Sequence, residues 1–167
     1  MIATYILMAV IAYAIGSVNF SIILSKKIAG FDVREKGSGN AGTTNMLRSV
    51  GKGLAALTLI CDILKGIVAV LVAYWIGRIA GESIKPEILV QLAGFFAVIG
   101  HTFPVYFGFK GGKGVATSLG ILLLINWQIG LICLVFALLV MAITRMVSLG
   151  SIMAAILFPV LTIFITE

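Results

Sequence analysis

Two cationic, glycine-rich stretches hold most of the polar chemistry of this chain. The first reads Gly37-Ser38-Gly39-Asn40-Ala41-Gly42-Thr43-Thr44-Asn45-Met46-Leu47-Arg48. Glycines at this density let several backbone N–H groups converge on the oxygens of one anion. Ser38, Asn40 and Asn45 add side-chain donors, and Arg48 can grip a phosphate through two parallel hydrogen bonds. A solvated turn with incidental glycines is the competing reading. The run formally contains G-x-G-x-x-G. No strand precedes it and no βαβ unit fits around it, so it is not a dinucleotide fingerprint.

The second stretch reads Gly108-Phe109-Lys110-Gly111-Gly112-Lys113-Gly114-Val115-Ala116-Thr117. It is not a P-loop: the glycine before Gly112-Lys113 is too close, and no Ser or Thr follows Lys113 directly. The same physics still operates. Gly111, Gly112 and Gly114 expose amides near the start of a helix whose dipole favours an anion, and Lys113 adds a point charge. Lys110 reads instead as part of a basic turn.

Other polar groups lie inside apolar runs. Asp62 and Lys65 fall three residues apart on one helix face. Ionisable groups at that depth are costly unless paired or facing a polar cavity, so they read as a mutual ion pair or as lining of a site. His101, the single histidine, reads as a hydrogen-bonded structural residue, with a general-base role as the alternative. Ser148 either reaches the site or caps its helix. Cys61 and Cys133 sit in apolar runs, and nothing has metal-ligand spacing, so no metal site and no disulfide framework are expected.

The elements that must position these groups are membrane helices. Of 167 residues, 61% are hydrophobic and only 11% charged, and the mean hydropathy is +1.20, too apolar for a water-facing surface. The net charge of +6 comes from 12 Lys and Arg against 6 Asp and Glu. Because the cations sit in short loops between apolar runs, they read as orientation signals and as contacts for phosphate or membrane lipid, not nucleic acid. The expected fold is all-α, a polytopic transmembrane bundle of about six spans: 2–24, 54–76, 88–106, a hairpin of two short helices at 115–125 and 129–143, and 146–164. The first run has no basic region before it and no small-residue cleavage site, so it is not a cleaved signal peptide. Lys26, Lys27, Arg34, Lys36, Arg48, Lys52, Lys110, Lys113 and Arg145 fall on one side of this threading, and Arg78 and Lys85 on the other. That places the N-terminus outside and both glycine-rich loops in the cytoplasm. The chain then ends outside, at Glu167, with Trp75 and Trp127 at the outer boundary.

Taken together, the loops resemble the first two signature motifs of the bacterial acyl-phosphate:glycerol-3-phosphate acyltransferases. Gly37 to Asn40 with Thr44, Asn45 and Arg48 matches the first motif, and His101 through Thr117 matches the second. Gly16-Ser17, Asp62-Lys65-Gly66 and Ser148 are also similar. The resemblance implies an enzyme of the bacterial inner membrane that transfers an acyl group from acyl phosphate to the sn-1 hydroxyl of glycerol 3-phosphate. The products are lysophosphatidic acid and inorganic phosphate, formed without metal or cofactor. It implies that Ser38, Arg48 and Lys113 are catalytic, that Gly37, Gly39, Asn40, Asn45, Gly111, Gly112, Gly114, Thr117 and Ser148 bind substrate, and that His101, Asp62 and Lys65 line or support the site. A substrate phosphate is expected to help take the hydroxyl proton.

Members of that family typically continue into a seventh span and a third motif bearing His and Asn. The 167 residues are therefore expected to form a single acyltransferase domain without those parts, as a piece of a longer chain or as a short form. A monomer is compatible with the sequence. Two readings from other classes remain beside the enzyme: a transporter of a small phosphorylated solute, which would use Asp62 and Lys65 but lacks an evident inverted repeat, and a non-catalytic lipid-binding membrane protein.

Overall fold

The structure is a computed structural model that describes residues 1–81 and 84–165. Every regular element among them is helical. Residues 1–121 form one compact unit and the chain from Leu122 onward a second. Five helical stretches are long and apolar enough to cross a membrane, and a shorter apolar helix accompanies them.

In the first unit, α1 (Ile2–Ser17) does not continue to residue 24 as expected. It breaks at Val18 and Asn19, both extended, before α2 (Phe20–Leu24). Asn19 explains the restart: its Oδ1 accepts from the Ile22 amide at 3.2 Å and from the Ser21 hydroxyl at 2.7 Å, a favourable N-cap. A π-helical turn, Ser25–Ala29, carries the segment past its expected end. The following polar stretch is not all loop, for α3 (Thr43–Ser49) forms inside it. The second span lengthens to α4 (Lys52–Ile79), which takes Arg78 out of the expected polar loop.

The third span, α5 (Pro86–Thr102), starts on a proline whose missing N–H would be unpaired there anyway. It stops four residues short of expectation. Pro104 disfavours helical backbone at Phe103, and a 3-10 turn, Val105–Phe107, follows. The short α6 (Val115–Ile125) matches its expected bounds.

Met8, Ala12, Ala69, Ala73, Leu89, Ala93 and Ala97 form the core between α1, α4 and α5. In lipid the hydrophobic effect gives helices little reason to associate, so small residues and close backbone packing take over. A Cβ on Gly100 would meet the Tyr13 carbonyl and, at 2.8 Å, the Ser17 amide. Gly100→Val is therefore expected to destabilise the unit by about 3 kcal/mol or more, read as a lowered thermal midpoint in detergent.

In the second unit, α7 (Trp127–Thr144) has 18 residues, long enough to span, where a short helix was expected. Asn126 caps it by accepting from the Ile129 amide at 3.1 Å, which draws Trp127 and Gln128 into the helix. Arg145 ends it in the left-handed region, at φ 56°. Helix α8 (Val147–Ile165) then packs on α7, with Gly150 against Ala137 and Met141. The expected outer end at Glu167 lies outside the described residues.

Candidate functional site

Asn45 organises the first glycine-rich loop. Its Oδ1 accepts from the Ser38 amide at 2.9 Å, and its Nδ2 lies 2.8–3.0 Å from the carbonyls of Val33, Lys36 and Asn40. The loop thus wraps around one buried side-chain amide. Gly37 and Gly39 turn it with φ of 60° and 72°. Asn45 serves the loop's own backbone, while Ser38 and Arg48 stay exposed. Arg48 sits in the last turn of α3.

The second loop is folded against the end of α5. The amides of Gly111 and Gly112 each donate at 3.1 Å, to the carbonyls of Thr102 and His101, so they are engaged by the end of α5 and not, as expected, exposed to an anion. The Tyr13 hydroxyl donates to the Phe103 carbonyl at 2.7 Å, fixing the turn to α1. Gly114 then leads into α6, whose early residue Thr117 is fully buried with no hydrogen-bond partner for its Oγ1. Lys110 and Lys113 are exposed.

The two loops touch directly. The Ala41 amide donates to the Gly111 carbonyl at 3.3 Å, and the Asn19 amide group donates to the Ala41 carbonyl at 3.3 Å. Arg34, which the sequence analysis counts only as an orientation signal, is the main clamp. Its Nη1 donates to the carbonyls of Phe107 at 2.7 Å and Lys110 at 3.1 Å. Its Nε and Nη2 hold both oxygens of Asp32, at 3.0 and 2.7 Å. Lys26 adds a contact to Asp32 at 3.1 Å. Asp32 and Asn19 escaped sequence reasoning altogether; the sole cue was a polar residue on either side of a basic turn.

The hydrogen bonds from Arg34 hold the Asp32 carboxyl well below its ordinary range, against the opposing effect of burial. The same pairing raises Arg34. A depressed carboxyl contributes stability that is present above its unfolded value, near 3.8, and is lost as the pH falls through the folded value. Loop docking is thus expected to be flat between about pH 5 and 8 and to weaken only in stronger acid. Asp32→Asn should loosen it across the whole range. Amide exchange over residues 104–111 measures both.

Beneath the second loop lies a buried polar chain. Lys65 Nζ is 2.9 Å from Asp62 Oδ1 and donates to the Val18 carbonyl at 2.7 Å, the carbonyl freed by the break after α1. His101 Nδ1 lies 3.6 Å from the same Asp62 oxygen. The expected ion pair between Asp62 and Lys65 is therefore present, and the histidine lies beside it.

The fold thus sets Ala41 of the first glycine-rich loop against Gly111 and Gly112 of the second, with Asp62, Lys65 and His101 below. Ser148 belongs to the second unit, in the first turn of α8, and its carbonyl accepts from Ser151 at 3.0 Å. A cleft of about 580 Å³ opens between the loops, lined by Asp32, Arg34, Glu35, Gly39, Phe107, Gly108 and Lys110. Its two carboxylates suit a phosphate poorly, and Ser38, Arg48 and Lys113 do not line it.

The family model described as glycerol-3-phosphate acyltransferase matches residues 6–167. The glycerol-3-phosphate acyltransferase of Clostridioides difficile is 47% identical, over 98% of this chain and 79% of the relative. That of Nostoc sp. is 42% identical, over 94% and 74%. Among solved structures, PlsY, an integral membrane glycerol 3-phosphate acyltransferase in its glycerol 3-phosphate form, superposes with a TM-score of 0.85 at 35% identity. The match covers 96% of this chain and 76% of that one. Its lysophosphatidic acid form gives a TM-score of 0.80 at 33% identity, with the same coverage.

Proposed function

This chain belongs to the glycerol-3-phosphate acyltransferase family, and we infer that it is an integral membrane enzyme that acylates glycerol 3-phosphate to lysophosphatidic acid. The observation that carries this reading is the bond between Ala41 and Gly111, which joins the loops of Arg48 and Lys113 at one end of the first unit. Two cationic, amide-rich segments held side by side suit a reaction in which both substrates carry phosphate.

The acyl donor is an acyl phosphate. This mixed anhydride carries a good leaving group, so the enzyme needs mostly to position its substrates and stabilise charge. Lys113 and Arg48 hold the phosphoryl groups, and Ser38 orients them. Asn45 positions the loop. The sn-1 hydroxyl oxygen attacks the acyl carbon, the bond from that carbon to the phosphate oxygen breaks, and inorganic phosphate leaves. A substrate phosphate oxygen takes the hydroxyl proton. The acyl chain lies in an apolar groove beside the spans.

The excess of cations at the loop end supports an orientation with both loops in the cytoplasm and the N-terminus outside, in the bacterial cytoplasmic membrane. Transport of a phosphorylated solute draws less support, because Asp62 and Lys65 are engaged with each other and with the Val18 carbonyl.

Purified protein given acyl phosphate and glycerol 3-phosphate is expected to release phosphate only when both are present, with lysophosphatidic acid formed in equal amount. Uptake of glycerol 3-phosphate into vesicles without phosphate release would contradict the assignment.

A further inference from the structure

His101 and Asp62 have no role in the chemistry above, yet both are buried beneath the loop that performs it, with relative exposures of 3% and 1%. Their facing atoms share an unusual property. His101 Nδ1 and Asp62 Oδ1 are both buried without a hydrogen bond of good geometry, although Asp62 Oδ1 has its ion pair to Lys65. Buried polar groups are nearly always hydrogen-bonded, and an exception calls for a cause. Here the two exceptions lie 3.6 Å apart, so a small rotation of the imidazole would make each the partner of the other.

The other edge of the imidazole meets the second loop. A Cβ on Gly112 would collide with His101 Nε2 on one side and stand 2.6 Å from the Ala41 carbonyl on the other. The Gly112 backbone is thus held between the histidine ring and the first loop. Its amide also donates to the His101 carbonyl at 3.1 Å. A continuous chain of contacts runs from the Val18 carbonyl through Lys65, Asp62 and His101 to Gly112, one residue from Lys113.

We propose that His101, oriented by Asp62, is a positioning residue that sets the Gly112 backbone and thereby aims Lys113 at a substrate phosphate. The imidazole neither touches substrate nor exchanges a proton with it. The inference rests on the acyltransferase reading, for it assigns the ring's effect to that reaction's phosphate cradle.

The test is a double-mutant cycle on turnover, with Asp62→Asn, His101→Ala and the two combined. Displacing a substrate-positioning group by about 1 Å can cost about 100-fold. His101→Ala is expected to lower kcat/KM by about 10- to 100-fold, largely through a higher KM for at least one of the phosphate-bearing substrates. Asp62→Asn should do the same to a smaller degree. Because Asp62 acts through His101, the double variant should be no worse than His101→Ala alone. His101→Gln, whose amide can reach the Gly112 side, should recover part of the loss. Unchanged KM values in a folded His101→Ala protein, or losses that multiply in the double variant, would overturn the proposal. If His101→Ala fails to fold, His101→Leu, closer in volume and without a polar atom, replaces it in the same cycle, judged by the same criteria. Wild-type turnover separates the two levels of inference. An inactive wild type refutes the acyltransferase reading, whereas an active wild type with multiplying losses refutes only the positioning role.

Discussion

Lys113→Ala is expected to lower kcat/KM by about 100- to 1000-fold, or to below detection, while the protein remains folded. The size follows from the task. Charge on the phosphoryl groups must be balanced as the acyl–phosphate bond breaks, and a cation held beside them does so without reorganisation at the moment of reaction. The preserved fold follows from the structure, since Lys113 is exposed and the loop's bonds to α5 and to Ala41 are made by backbone groups. Lysophosphatidic acid formation measures the first part and a thermal midpoint in detergent the second. Lys113→Arg should recover little, because a planar fork does not replace a compact ammonium among glycines. Near-normal turnover by Lys113→Ala would remove the residue from the site.

The second large effect is on stability. Asp62→Leu leaves the Lys65 ammonium, 5% exposed, with only the Val18 carbonyl as its described partner. Removing one member of a buried ion pair costs about 3–5 kcal/mol, because the other charge is left uncompensated. The double replacement Asp62→Leu with Lys65→Met removes both charges and should recover much of that loss. Recovery will be incomplete, since the Val18 carbonyl at the break after α1 then loses its donor. Thermal unfolding of the two variants tests the ordering. If the single variant is as stable as the wild type, the pair does not hold the helices together. Activity need not follow stability, because His101 loses its anchor in both variants.

The sequence was informative where chemistry and hydropathy coincide. The apolar runs located the long helices, and glycines flanked by cations located both loops. Spacing alone paired Asp62 with Lys65. What escaped it depends on contacts between segments distant in sequence. The break at Val18 and Asn19 lies within a run of apolar residues, and it is stable because Asn19 reaches Ala41 and Lys65 reaches Val18. Arg34 looked like an orientation signal, because its three partners, Asp32, Phe107 and Lys110, lie in a turn two residues away and in a loop more than seventy residues on. Asn45 looked like a ligand, since a sequence cannot tell a side chain that faces substrate from one that holds its own loop. The extension of α7 turned on Asn126, whose capping bond brings Trp127 and Gln128 into the helix.

The claim on which the rest depends is that the loop of Arg48 and the loop of Lys113 hold one phosphate-bearing substrate together. Amide hydrogen exchange of the wild-type protein, with and without glycerol 3-phosphate, tests it most directly. The account predicts that glycerol 3-phosphate slows exchange in residues 37–48 and 108–117 over the same concentration range, and that glycerol slows neither. Protection of one loop alone, or of neither at a concentration that supports turnover, would contradict it.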